Sequence, residues 1–154
     1  MLRLPPFEYH SPSSIADAIA LKAEYRDSAM YSAGGTDLFP NMKRRQFTPK
    51  NLIGLAELQE LQTISEEISS KGLLIGSGVS LTEVAENHKI RELFPALSQA
   101  ATLVSAPQLR NMGTIGGNLC LDTRCNYYNQ SFQWRKALGF CLKKDGDICW
   151  VARS

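Results

Sequence analysis

Tyr31-Ser-Ala-Gly-Gly-Thr-Asp-Leu-Phe-Pro-Asn-Met-Lys43 is the stretch on which the reading of the fold turns. Ala29 to Ala33 form a short β-type run that breaks at Gly34-Gly35-Thr36-Asp37. After the break, Leu38, Phe39 and Met42 predict a brief helix ending in Lys43-Arg44-Arg45. The unit is strand, glycine turn, helix. Glycines let the backbone adopt positive φ and approach a ligand without a Cβ clash, so successive N–H groups can converge on an anion, and a helix N-terminus adds its dipole. Asp37 suits a direct phosphate contact poorly and reads as the helix N-cap. Taken alone, a Gly-Gly pair between strand and helix is as compatible with a plain tight turn.

A second turn of the same kind lies downstream, in Arg110-Asn-Met-Gly-Thr-Ile-Gly-Gly-Asn-Leu119. Two such turns brought together could hold a diphosphate mainly through backbone donors. Neither matches a Rossmann or P-loop pattern. Between and before them the chain alternates short strands and helices. Phe7 and Tyr9 suggest a strand. Residues 12–25 read as an amphipathic helix with Ile15, Ala18 and Ile19 as its apolar stripe, capped through Ser11-Pro12 or, in a second register, through Ser14 and Asp17. Asn51–Gly54, Thr63–Glu67 and Gly72–Gly76 read as strands. Ser80 with Glu83 predicts a capping box and a helix from Leu81, and Leu97, Ala100, Ala101 and Val104 mark a core-facing helix that finishes before Pro107. The mixture favours α+β or irregular α/β over a single doubly wound sheet.

Composition constrains the rest. The 154 residues are 44% apolar and 21% charged, which is globular, and 17 Lys and Arg against 15 Asp and Glu give a charge too small to argue for nucleic acid. MLRLPPFEYH lacks the apolar core of a signal peptide and no run approaches a membrane span, so a cytoplasmic protein with no membrane span is expected. In that reducing compartment the four cysteines are expected to be unpaired or metal-bound. Cys120, Cys125, Cys141 and Cys149 fall in one segment with the spacing C-x4-C-x15-C-x7-C. Four thiolates are the number a [4Fe-4S] cluster needs, while zinc sites more often use closely spaced pairs, which does not exclude zinc. Tyr127, Tyr128, Phe132, Trp134, Phe140 and Trp150 accompany the cysteines and are expected to bury one another; Arg124, Arg135, Lys136, Lys143 and Lys144 either offset the negative charge of a metal cluster or face solvent, the solvated reading being the expectation. His10 and His88 read as structural or exposed. No residue reads as a catalytic acid, base or nucleophile.

Taken as a pair, the two glycine segments resemble the FAD signatures of the molybdopterin dehydrogenase family, which includes the flavin subunits or domains of xanthine dehydrogenase and carbon monoxide dehydrogenase. The resemblance runs from about Phe7 to Leu119. It implies an α+β FAD-binding domain of the vanillyl-alcohol-oxidase (PCMH) type with two subdomains, about 1–55 and 56–119, the second incomplete, and only the N-terminal part of a family subunit. The FAD-binding residues it implies are Tyr31, Ser32, Ala33, Gly34, Gly35, Thr36, Asp37, Leu38, Val104, Thr114, Ile115, Gly116, Gly117 and Asn118.

Residues 120–150 depart from the ordinary family pattern and are similar to the insertion of the 4-hydroxybenzoyl-CoA reductase branch. That similarity implies a [4Fe-4S] cluster on Cys120, Cys125, Cys141 and Cys149 and reductive dehydroxylation to benzoyl-CoA. The implied partners are a molybdenum-cofactor large subunit, a [2Fe-2S] small subunit and a low-potential donor such as ferredoxin. The alternatives are the FAD subunit of another molybdenum hydroxylase and, from a different class, a zinc-stabilised interaction or nucleic-acid-binding module.

Overall fold

The computed structural model describes residues 3–67, 72–122 and 124–152. In chain order the elements are β1 (Glu8–His10), α1 (Ile15–Tyr25), β2 (Ala29–Ser32), α2 (Leu38–Lys43), β3 (Asn51–Gly54), β4 (Ile64–Glu67) and β5 (Gly72–Ile75). Six short helices follow: α3 (Leu81–Glu86), α4 (His88–Leu93), α5 (Pro95–Leu103), α6 (Pro107–Met112), α7 (Ile115–Leu119) and α8 (Phe132–Ala137). The described residues group into two units. The larger comprises Phe7–Thr36 and Pro49–Leu121; the smaller comprises the N-terminal residues, Asp37–Thr48 and the chain from Asp122 onward.

In the larger unit a three-stranded parallel sheet has the order β1-β3-β2, with Tyr9 and Met30 both opposite Leu52. The central strand β3 is buried throughout, so it reads as a short apolar run bounded by Asn51 and Gly54. Parallel neighbours need a crossover, and α1 supplies it between β1 and β2. That helix begins at Ile15 because the Ser14 hydroxyl accepts the Asp17 amide at 3.1 Å: the second capping register prevails and Ser11-Pro12 stay outside. Ala18, Ala29, Ile53 and Leu58 form the first core, edged by Ile15, Leu21 and Tyr25. Ile19 is 58% exposed, since the buried stripe runs through Ile15, Ala18, Leu21 and Tyr25 instead. His10 is structural, as expected: its ring bonds Asn51 at 3.0 Å and stacks on Tyr25.

The second core lies under the antiparallel pair β4–β5, where Ile64 faces Ile75. Val79, Val84, Ala85, Ile90 and Ala101 are its buried residues. The expected capping box is present: the Ser80 hydroxyl accepts the Glu83 amide, and the Glu83 carboxylate accepts the Ser80 amide at 2.9 Å. In α5 the expected stripe is corrected at one position. Ala100 is exposed, and buried Ser98 takes its place, its hydroxyl donating to the Ala85 carbonyl at 2.8 Å. The stretch 107–119, read as a glycine-punctuated segment, contains two helices: α6, which is free of glycine, and α7, which includes Gly116 and Gly117. Together the sheet, hairpin and helices form the mixed α+β fold expected from the sequence.

In the smaller unit α2 ends with Gln46 N–H donating to the Asn41 carbonyl and Arg45 N–H to that of Met42, the paired bonds of a Schellman C-cap. Its rings touch, with Tyr127 6.2 Å from Trp134 and 6.3 Å from Trp150, and Phe132 5.8 Å from Phe140. Yet Tyr127, Phe132 and Trp134 remain 38–40% exposed, so the aromatic segment is not the closed core expected of it. Arg135 departs from expectation in the opposite sense: it is 1% exposed.

Candidate functional site

Within the larger unit the two glycine segments meet. A Cβ on Gly34 would lie 1.7 Å from the Met112 carbonyl oxygen and 3.1 Å from Gly113 Cα, so only glycine permits this approach. The second segment is held in turn by the chain before α3. Leu81 N–H donates to the Gly113 carbonyl at 2.9 Å, Ile115 N–H to Val79 at 2.8 Å and Gly116 N–H to Ser77 at 2.9 Å. A Cβ on Gly116 would stand 2.5 Å from that of Ser77. These contacts leave a groove of about 420 Å³. Ala33 and Gly34 line it with Asn111, Met112 and Thr114; Ser80, Thr82 and Glu83 contribute from the start of α3, and Leu55, Ala56, Gln62 and Gly78 complete it.

The groove has no lysine, arginine or histidine in its lining. Its carboxylate, Glu83, is engaged by the Ser80 amide and hydroxyl at 2.9 and 2.7 Å. The groove's donors are therefore side-chain hydroxyls and amides and the backbone N–H groups. Among the described residues the amides of Gly34, Gly35, Thr36 and Thr114 have no hydrogen-bond partner. Those of Ile115, Gly116, Gly117 and Asn118 are all used within the fold: Gly117 donates to the Thr114 hydroxyl at 3.1 Å and Asn118 to the Thr114 carbonyl at 2.9 Å. The two turns thus differ in character. The first offers N–H groups, whereas the glycines of the second allow close packing. Of the four residues with unpaired amides, Gly34 and Thr114 line the groove, and unpaired amides are the kind of donor that can hold a compact anion such as a diphosphate.

Of the residues expected from the sequence, Ala33, Gly34 and Thr114 line the groove. Tyr31 points its hydroxyl at the Ala18 carbonyl, 3.4 Å away, and Ser32 is buried with its carbonyl accepting from Leu55. Ile115 packs on the second core, and half-buried Val104 caps α5 and accepts Arg110 at 3.1 Å through its carbonyl. Asp37 and Leu38 belong to the smaller unit. Asp37 stands at the N-cap of α2 but makes no side-chain cap bond. Its carboxylate pairs with Arg124 at 2.6 Å and accepts from Asn41 at 2.9 Å, while the Arg124 side chain stays 53% exposed, as expected of a solvated charge. Ser80, Thr82, Asn111 and Gln62 escaped the sequence reading. The glycine pair Gly76 and Gly78 just after β5 was the available signal: a Cβ on either would stand 2.2 or 3.0 Å from the Leu61 carbonyl oxygen.

The four cysteines are free thiols. Cys120 is exposed on the larger unit, at the end of α7, whereas half-exposed Cys125 and Cys149 and buried Cys141 belong to the smaller one. Among the described residues no three His, Cys, Asp or Glu side chains gather to hold a metal ion. Cys149 has a different distinction. The Ala152 amide donates to its sulfur at 3.3 Å, and that bond, with a second from Val151, lowers the thiol below its ordinary pKa.

Residues 5–133 match the family described as FAD binding domain in molybdopterin dehydrogenase. Over 115 residues the chain is 38% identical to the carbon monoxide dehydrogenase medium chain of Hydrogenophaga pseudoflava, covering 75% of this chain and 39% of that one. It is 36% identical over 114 residues to a putative xanthine dehydrogenase FAD-binding subunit of Escherichia coli, covering 73% and 38%. Among solved structures, carbon monoxide dehydrogenase from Hydrogenophaga pseudoflava superposes with a TM-score of 0.72 at 37% identity, covering 76% of this chain and 40% of that one. Quinoline 2-oxidoreductase from Pseudomonas putida superposes at 0.70 with 30% identity and the same coverage. The chain spans about two-fifths of the length of these relatives.

Proposed function

Because the chain belongs to the family of FAD binding domains in molybdopterin dehydrogenase, we propose that it supplies the diphosphate end of an FAD site in the electron-transfer subunit of a molybdenum hydroxylase. The observation that carries this is the unpaired Gly34 amide lining the groove where Gly34 closes on Met112, with the unpaired Gly35 and Thr36 amides following it in the turn. Those amides would bind the diphosphate, and Thr114 would border it from the other side of the groove. Bound FAD would supply electron storage and transfer; the protein's part is to orient the nucleotide end and keep the groove narrow. The oxidoreductase would be cytoplasmic and would assemble with a molybdenum-binding large subunit and a [2Fe-2S] small subunit, carbon monoxide dehydrogenase or xanthine dehydrogenase being the pattern. FAD titration of a subunit extended to the length of the relatives tests this. Stoichiometric flavin that is lost in Gly34→Ala supports it; flavin retention in that variant refutes it.

A narrower reading assigns the chain to a 4-hydroxybenzoyl-CoA reductase, with ferredoxin as donor and a [4Fe-4S] cluster on Cys120, Cys125, Cys141 and Cys149. The confinement of all four cysteines to residues 120–149 favours it. Because the described side chains do not gather, the cluster would have to organise the segment itself. Iron and sulfide near four per chain after anaerobic purification, lost in Cys141→Ser, support the narrower reading. Stoichiometric zinc in a colourless protein would sink it, and an iron-free subunit that still binds FAD would sink the narrower reading alone.

A further inference from the structure

The smaller unit holds a cavity of about 170 Å³ lined by Arg3, Lys43, Arg44 and Arg45 with Ser131, Phe132 and Gln133. Four of its seven lining residues are cations and none is an acid. Among the described residues none of the four forms an ion pair. Arg44 instead hydrogen-bonds Asn129, and Arg45 reaches the Met42 carbonyl at 3.5 Å.

A fifth cation lies on α8, the helix that contributes Phe132 and Gln133 to the lining. Arg135 is 1% exposed, and its Nη2 donates to the carbonyl of the lining residue Arg45 at 3.3 Å. Its Nε and Nη1 have no hydrogen-bond partner. Asp145, an exposed side chain, reaches Nη1 only at 4.0 Å. A buried guanidinium with two unpaired donors is costly unless a counter-charge arrives.

The backbone at Arg45 is a third, independent observation. Arg45 is the C′ residue of the Schellman cap that ends α2, and its φ is 59°. Glycine is the preferred residue there, and a side chain in that conformation is strained. An arginine at a position that asks for glycine is explained if its guanidinium has work in the cavity.

We propose that this cavity binds a small phosphate-bearing anion, held by the Arg44 and Arg45 guanidiniums and Lys43, with buried Arg135 adding positive potential behind them. Several cations and no acid favour a multivalent anion, and guanidinium forks match phosphate oxygens. The phosphate could be free or carried by a nucleotide-type ligand; the chemistry recognised is the same. None of the residues lining this cavity belongs to the Gly34–Thr36 turn, and the proposal stands whether or not those amides bind FAD.

The test uses the 154-residue chain, titrated with inorganic pyrophosphate and, separately, adenosine 3′,5′-bisphosphate, while backbone amide shifts are followed by NMR. Saturable shifts at Lys43–Gln46 and Ser131–Arg135 are expected with at least one of the two. Pyrophosphate alone sufficing identifies free phosphate as the ligand, and response to the nucleotide only identifies a nucleotide-borne phosphate. Arg45→Gly relieves the backbone, so it should melt no lower than the parent while binding about tenfold more weakly. Absence of shifts with both probes overturns the proposal. So do shifts confined to Gly34–Thr36, or undiminished affinity in Arg45→Gly.

Discussion

Gly34 carries the site. With Met112 O 1.7 Å from the position its Cβ would take, Gly34→Ala must push two segments apart. Overpacking of this kind costs about 1–3 kcal/mol, so the urea midpoint should fall by the corresponding amount. A midpoint unchanged from the parent would mean that the two glycine segments are not in contact. Cys149 allows a second prediction of the same grain. Amide donation from Ala152 and Val151 lowers its pKa, so its thiolate persists to lower pH than an ordinary thiol. In the native chain at mildly alkaline pH, iodoacetamide should label Cys149 ahead of buried Cys141, with the advantage shrinking as pH rises past the ordinary thiol range and vanishing in denaturant. Equal labelling in the native state would contradict the donation. Glycines at close approaches were legible in the sequence because few other roles demand them. Arg135 was not: a six-residue helix has too few turns to show which face is buried, and composition alone makes an arginine look solvated.

Helix α3 shows how one short element fixes one wall of the groove. Ser80 caps it, opposes Thr114 across an antiparallel bridge and lines the cavity, so one residue serves stability and shape together. Ser80→Ala removes the cap and should cost about 1 kcal/mol, read as a lowered thermal midpoint, and should loosen the groove at Thr114. A midpoint unmoved by the substitution would refute the cap's contribution. The capping box, β3 and β5 were all readable because their signals are local. Helix α7 was not, since glycine at 116 and 117 argues against helix by about 1 kcal/mol each relative to alanine. The Thr114 cap and the Ser77 and Val79 carbonyls, which take the amides of Gly116 and Ile115, override that preference from outside the element.

For the molecule as a whole, family and fold were legible from two glycine segments whose specificity lay in the pair, and the matching relatives bear that out. The geometry of the cysteines was not legible. Spacing gives the number of residues between thiols and says nothing of where the chain places them. The chain covers about two-fifths of the length of its relatives. The 154-residue chain is therefore predicted to bind FAD weakly, and tight stoichiometric FAD on it would refute that expectation. The diphosphate end should nonetheless be recognised, and a probe lacking the flavin isolates it. The decisive measurement is an amide-resolved NMR titration of the chain with ADP beside riboflavin. ADP should shift the Gly34, Gly35, Thr36 and Thr114 amides while riboflavin leaves them in place; ADP shifts that spare those four amides would contradict the assignment of this groove to the FAD diphosphate.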